Sequence, residues 1–247
     1  MHRFFCPNAD FQNLQVDLTR FDEIHHLKNV LRLKPTDTVV IFDGKGREAT
    51  GTIFSIQTHC ISIRLQNVSQ EQTRHLQLIL VCAIPKNAKF EFIIEKCTEL
   101  GIDEIIPLIT ERTEVKLNPE RAQQKQKRYQ TVAINASKQC QRKTIPTIHP
   151  VSSLKSVLNL LKTSSVYAFI PCLSGNREKL SDELKKISTK PSGKIIFLIG
   201  PEGDFTAQEI QSAISAGCTP VSLGNRVLKV DTAAIFVISA TNISLSL

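Results

Sequence analysis

The sequence predicts an α/β protein in which helices cover a mainly parallel sheet, preceded by a small β-rich domain. Three observations carry this reading. From residue 76 onward, apolar strand-like runs alternate with amphipathic helical segments, a pattern that needs a sheet buried on both faces. Up to about residue 70, short segments alternate at period two between turn residues, as in a small barrel or sandwich. The charge also changes: residues 1–75 hold nine Lys or Arg against eight Asp or Glu, whereas residues 112–143 hold nine against two. The polar VSQEQTRH, residues 68–75, therefore marks the boundary between domains expected at 1–71 and 72–247.

In the first domain, Thr38–Phe42 runs into Asp43-Gly44-Lys45-Gly46, a hairpin turn sequence. Strands follow at 48–56 and 59–65, while DEIHHLKNVLRLK carries Ile24, Leu27, Val30 and Leu31 at helical spacing. In the second, LQLILVCAI is a strand, and KFEFIIEKCTEL is a helix with Phe90, Ile93, Ile94 and Cys97 on one face, ended by Gly101. DEIIPLI is the next strand. Asn118 caps a helix with Pro119 at its first turn, predicted to run to about Ser137. The alternation continues with a helix at 153–162, a strand at 165–171, a helix at 178–187 and a strand at 194–200. A helix from Thr206, a strand at 219–223 and a last helix from about Asp231 complete it.

Composition excludes several classes. The start, MHRFFCPNADFQ, lacks the apolar stretch of a signal peptide, and no run reaches the roughly 18 apolar residues of a membrane span. A cytoplasmic protein with no membrane partner is expected. Seven scattered cysteines without a CxxC pair read as small apolar residues, so no metal is expected. There is no GxxxxGK[ST], GxGxxG or GxSxG, which argues against a triphosphate cradle, a dinucleotide fold and a hydrolase elbow. The net charge of +7 over residues 112–143 fits a polyanion partner, or else a solvated helix face.

Two strand-to-helix loops stand out. Gly200-Pro201-Glu202-Gly203-Asp204 precedes a capping box, Thr206-Ala207-Gln208-Glu209; Ser222–Leu228 leads into Lys229-Val230-Asp231-Thr232. Ligands of open α/β sheets bind where such loops lie, and glycines there admit close approach of backbone to a ligand. Each loop alone reads more readily as an ordinary turn.

Taken together, HHLKNVLRLK, IFDGKG, PKNAKFEFIIEKCTELGIDEIIPLITERT, AINASKQCQRKTIPTI, IGPEG and LGNRVLKVDTAA resemble the RsmE family of 16S ribosomal RNA uridine-N3 methyltransferases, within the SPOUT superfamily. The resemblance spans nearly the whole chain. It implies a PUA-like RNA-binding barrel, an α/β domain with a C-terminal trefoil knot, S-adenosylmethionine as methyl donor and a homodimer. It implies cofactor contacts at Ile170, Pro171, Cys172, Ile199, Gly200, Pro201, Glu202, Gly203, Leu223, Gly224, Asn225, Val227 and Leu228. A β-branched side chain at Gly203 would then fill the pocket. Glu202 would accept from ribose hydroxyls or from a backbone N–H.

For the chemistry, Arg226 and Lys229 are candidates to stabilise charge on the uracil oxygens. Asp231 is a candidate proton acceptor, or else the cap of the last helix, the reading favoured from sequence. The chain departs from the family where Asp204 replaces a glycine and Lys229 and Asp231 replace an Arg–Glu pair; a retained Lys–Asp salt bridge is expected. Arg112, Lys116, Lys125, Lys127, Arg128, Lys138, Arg142 and Lys143 are expected to track the phosphates of small-subunit ribosomal RNA. Another RNA position, or a non-catalytic role in ribosome assembly, are the alternative functions.

Overall fold

Two sheets organise the chain, which a computed structural model describes at residues 1–72, 75–86, 89–161, 166–187 and 192–246. They fall in two compact units, residues 1–73 with 134–145, and residues 74–133 with 146–247.

The smaller unit contains β1 (Arg3–Phe5), β2 (Gln15–Leu18), α1 (Phe21–His25), β3 (Thr38–Phe42), β4 (Arg47–Ile56) and β5 (Ile61–Gln70). Its strands lie in the order β1-β3-β4-β5-β2, with only the β1–β3 pair parallel. Period-two burial on β4 and β5 turns Ile53, Ile61, Ile63 and Leu65 into a core with Phe4, Leu18 and Ile41. The turn between β3 and β4 is held by Asp43, whose Oδ1 accepts the N–H groups of Lys45 and Arg47, while Gly44 and Gly46 take positive φ.

Two sequence expectations change here. The segment read as an amphipathic helix is a short α1 followed by a π-helical turn at His26–Val30, where Leu31 N–H bonds the His26 carbonyl. This wider turn leaves Leu27 buried but Val30 exposed. β5 also runs on to Gln70, through part of the segment expected to link the domains; residues 73 and 74 of that segment lie outside the described residues.

The larger unit begins with β6 (Leu76–Ala83), α2 (Lys89–Glu99) and β7 (Glu104–Ile109). Gly101, at φ +89°, closes α2 as its neighbour Ile102 donates to the Cys97 carbonyl. Helix α3 (Pro119–Gln139) starts where Asn118 Oδ1 accepts the Arg121 N–H at 2.9 Å. Its residues group with the larger unit up to 133 and with the smaller from 134. There follow β8 (Thr147–Ile148), β9 (Ser152–Ser153), α4 (Leu154–Leu160), β10 (Val166–Pro171), β11 (Glu178–Lys179) and α5 (Leu180–Lys186). The expected end of α4 at residue 162 and the expected start of β10 at residue 165 lie outside the described residues. The chain closes with β12 (Gly193–Ile199), α6 (Ala207–Ser215), β13 (Thr219–Ser222) and α7 (Val230–Leu245).

The second sheet is parallel throughout, in the order β11-β13-β10-β12-β6-β7-β8, with β9 also on β7. The chain first builds outward from β6 through β7 to β8, then places β10 on the other side, β12 between β10 and β6, and β13 beyond β10. Its carboxyl-end loops therefore gather at the reversal of strand order, where α/β sheets bind ligands. Both faces are covered, one by Leu154, Val157, Phe205 and Ala213, the other in part by α7, on which α2 packs. Among the described residues, no helix is long and apolar enough to cross a membrane.

Candidate functional site

Three loops at the carboxyl ends of β10, β12 and β13 enclose a cavity of about 220 Å³. The β10 loop contributes Pro171, Cys172, Leu173 and Arg177. The β12 loop contributes Gly200, Pro201, Glu202 and Asp204 after Ile199 on the strand. Ser222, Leu223, Gly224, Arg226, Val227, Leu228 and Lys229 come from the end of β13 and its loop, and Val230 and Ala233 from α7. The walls are largely aliphatic, with two carboxylates and three cations at the polar positions. Gly224 has φ +117° and open space where a Cβ would stand, a conformation that L-residues adopt only with strain.

Each loop has its own support. In the β12 loop, Gly200 meets Phe205 so closely that a Cβ would lie 3.0 Å from its ring, and Phe205 is buried in the core. Glu202 Oε1 accepts the Lys86 N–H at 3.0 Å, and Arg112 Nη1 donates to the Gly203 carbonyl at 2.7 Å. The capping box forms as the sequence predicts: Thr206 Oγ1 accepts the Glu209 N–H, and Glu209 Oε2 accepts the Thr206 N–H. The second oxygen of Glu209 accepts the Glu111 N–H at 2.9 Å, tying α6 to the loop after β7.

Pro171, Cys172, Ile199, Gly200, Pro201, Glu202, Leu223, Gly224, Val227 and Leu228 thus converge with Arg226 and Lys229. Ile170 is fully buried in the core, Asn225 is exposed outside the cavity lining, and Gly203 is outside it too. A Cβ on Gly203 would face the Arg112 side chain at an ordinary 3.5 Å. Gly203 therefore supports the loop, and a larger residue there would not grow into the cavity. Glu202 takes a backbone N–H, as one of its two readings expected, but from Lys86 rather than from its own turn.

Asp231 does not cap α7. Lys229 holds the N-cap position with extended backbone, which puts Asp231 inside the first turn. Its Oδ1 is buried without a hydrogen-bond partner. Among the described residues, no ion pair joins Lys229 to Asp231, so the expected Lys–Asp bridge is absent. Burial pushes the Cys172 thiol up, and Asp204 adds to the effect while Arg177 opposes it.

The basic candidates divide by environment. Lys116 and Lys127 are exposed and, among the described residues, have no acidic partner. Lys125 lies over the Tyr129 ring, and Arg128 pairs with Glu91 at 2.6 Å. In the smaller unit, Lys138 Nζ bonds both oxygens of the buried Glu23 at 2.9 and 2.8 Å. Lys143 pairs there with Glu48, and Arg142 bonds Thr144. Lys138 is thus a structural cation, and Arg112 a loop support. Sequence reasoning missed Arg177, Leu173 and Ala233 in the cavity, and the exposed Arg121. A Gly-Asn-Arg turn just past a buried strand was the available signal for Arg177. Among the described residues, no cluster of His, Cys, Asp and Glu could hold a metal.

The cavity fits S-adenosylmethionine. Leu223, Val227 and Leu228 offer apolar cover for an adenine, and the glycine backbone can approach its edge. Known proteins agree. The family described as "RNA methyltransferase domain" matches residues 72–242, and "RNA methyltransferase PUA domain" matches residues 18–66. The ribosomal RNA small subunit methyltransferase E of Rickettsia conorii is 31% identical over 96% of this chain and 93% of its own. That of Synechocystis sp. is 32% identical over 89% of this chain and 70% of its own. The crystal structure of the Neisseria gonorrhoeae ribosomal RNA small subunit methyltransferase E, bound to S-adenosyl methionine, is 31% identical. It aligns with a TM-score of 0.86 over 98% of this chain and 97% of that one.

Proposed function

The chain belongs to the ribosomal RNA small subunit methyltransferase E family, and from that premise we propose that it methylates N3 of one uridine in 16S ribosomal RNA, with S-adenosylmethionine as donor. The observation that carries this reading is the single cavity built by the loops after β10, β12 and β13. The donor supplies an electrophilic methyl group on a sulfonium centre. Everything else falls to the chain's own residues.

Leu223, Val227 and Leu228 cover the adenine, and backbone groups of residues 199–201, 223–224 and 226–228 take its polar edge. Glu202 keeps the β12 loop in place through Lys86. Alkylation at N3 requires loss of the imide proton and spreads negative charge onto the flanking uracil oxygens. Arg226 and Lys229, on the cavity wall, stabilise that charge. Asp231 is outside the cavity lining and its unpartnered Oδ1 is buried, so it takes the proton only if bound RNA exposes the first turn of α7.

Residues 1–71 bind RNA, a reading supported by the PUA match. Lys116, Arg121, Lys125 and Lys127 meet phosphates. The target uridine is unpaired or flipped when it enters. The protein acts in the cytoplasm as a homodimer. Support for the dimer comes from α7, where Phe236 and Ile243 are 42% and 82% exposed opposite the buried Ala234, Val237 and Ile238. A trefoil knot belongs to the same reading; β12 enters the sheet between β6 and β10 rather than extending an edge, as threading requires.

Mass mapping of small-subunit RNA from cells with and without the gene tests the function. Disappearance of one N3-methyluridine is the expected result; an unchanged set of methylated nucleotides refutes it, and loss of a different mark reassigns the position.

A further inference from the structure

We propose that Asp204 and Arg177 are positioning residues that clamp one peptide group, the Cys172–Leu173 peptide, and so preset the cavity for its methyl donor. The inference rests on the cavity assignment above. Cys172 and Leu173 both line the cavity, and the peptide between them has one C=O and one N–H. Arg177 Nη1 donates to that carbonyl at 2.8 Å, and Asp204 Oδ2 accepts that N–H at 2.9 Å. A cation thus stands at the negative end of the peptide dipole and an anion at its positive end. Both charge–dipole terms favour the same orientation, and rotating the peptide would break both charge-assisted bonds.

The backbone of Asp204 is arranged for this contact. Its φ of +58° lies in the left-handed region, which glycine enters freely and aspartate only at a cost. From there Oδ1 accepts the N–H of Phe205 at 2.8 Å while Oδ2 reaches Leu173, 31 positions away in sequence. Phe205 is 3% exposed, packed against Gly200. Asp204 therefore joins the β10 loop to a residue rooted in the core. The cavity wall is ordered before any ligand arrives, which lowers the entropy that binding must otherwise remove.

Asp204→Gly isolates the effect, because glycine suits the backbone at this position and the variant should keep its thermal midpoint. Amide exchange at Leu173, measured on the ligand-free protein, should become at least about tenfold faster. S-adenosylmethionine affinity, measured by calorimetry, should fall on the order of tenfold, as for one charge-assisted bond. Asp204→Asn, which keeps an acceptor, should recover part of both. Arg177→Ala should act in the same direction, and the double variant should lose less than the sum of the two, because both side chains act on one peptide. Unchanged exchange in Asp204→Gly overturns the clamp. Faster exchange with unchanged affinity overturns its role in presetting the cavity, as does strict additivity of the pair. Absence of binding by the unaltered protein would instead refute the cavity assignment, and the exchange result would still judge the clamp.

Discussion

The carboxylate of Glu202 accepts the backbone N–H of Lys86 at 3.0 Å, across 116 positions of sequence. This bond fastens the β12 loop to the segment after β6. If it acts by holding the loop, Glu202→Gln, which keeps an acceptor oxygen, should bind S-adenosylmethionine nearly as well as the parent. Glu202→Ala should lose about 1 kcal/mol, roughly fivefold in affinity. Calorimetry separates the two cases: equal losses in both variants would mean that the carboxylate charge contacts the ligand.

Gly224 is a backbone-limited position of the cavity. Nothing lies within 4 Å of where its Cβ would stand, so Gly224→Ala meets no clash, but the residue must hold φ +117°. The cost is about 1–3 kcal/mol of strain. The variant should show a lowered thermal midpoint and weaker donor binding, with added ligand restoring part of the midpoint. Unaltered stability would mean that the loop relaxes freely.

The exposed cations should act on RNA, and the half-buried Lys138 on folding. Lys116→Glu with Lys127→Glu should flatten the dependence of RNA affinity on salt by about 0.7–0.9 in log–log slope for each phosphate that is no longer neutralised. Lys138→Ala should instead leave the slope alone and destabilise the protein by about 3 kcal/mol, because Glu23 would stay buried without its partner. Titrations at several salt concentrations and denaturant unfolding distinguish the two classes.

Glu104 gives the protein a pH signature. His149 Nε2 at 2.7 Å holds its carboxyl below the usual value, with Lys194 assisting. A depressed carboxyl contributes stability that is present above the ordinary carboxylate range and is lost as pH falls through the folded-state value. Glu104→Gln should therefore cost about 1 kcal/mol at neutral pH, and the gap should close in acid. A pH-independent gap in denaturant unfolding would contradict this.

Local chemistry was legible in the sequence, and long-range chemistry was not. Asn118 and the Thr206–Glu209 box could be read because their partners lie within three residues. The alternation of strands and helices announced the parallel sheet, and the loops after β12 and β13 announced the cavity. Asp231 misled because helix caps are judged from residue type, whereas the start of α7 is set by the backbone at Lys229. The Arg177–Cys172 and Asp204–Leu173 bonds, and the Lys138–Glu23 pair, depend on which loops and segments the fold brings together. Asp204 stood out in the sequence only as an oddity in a glycine position. The short β1 and β2 offered too few alternations to register.

The smaller unit is assembled from two stretches of chain. Residues 134–145 bring it Lys138, the bridge from Thr144 to Gly44, and Ile145, whose N–H meets the Gly44 carbonyl at 3.0 Å. A fragment ending at residue 73 would thus leave Glu23 without its ammonium partner and the β3–β4 turn without its neighbour. This module is not a bead that can be cut from one end of the string and transplanted. Gene fusions or truncations that respect only linear order would separate it from a piece encoded beyond residue 133.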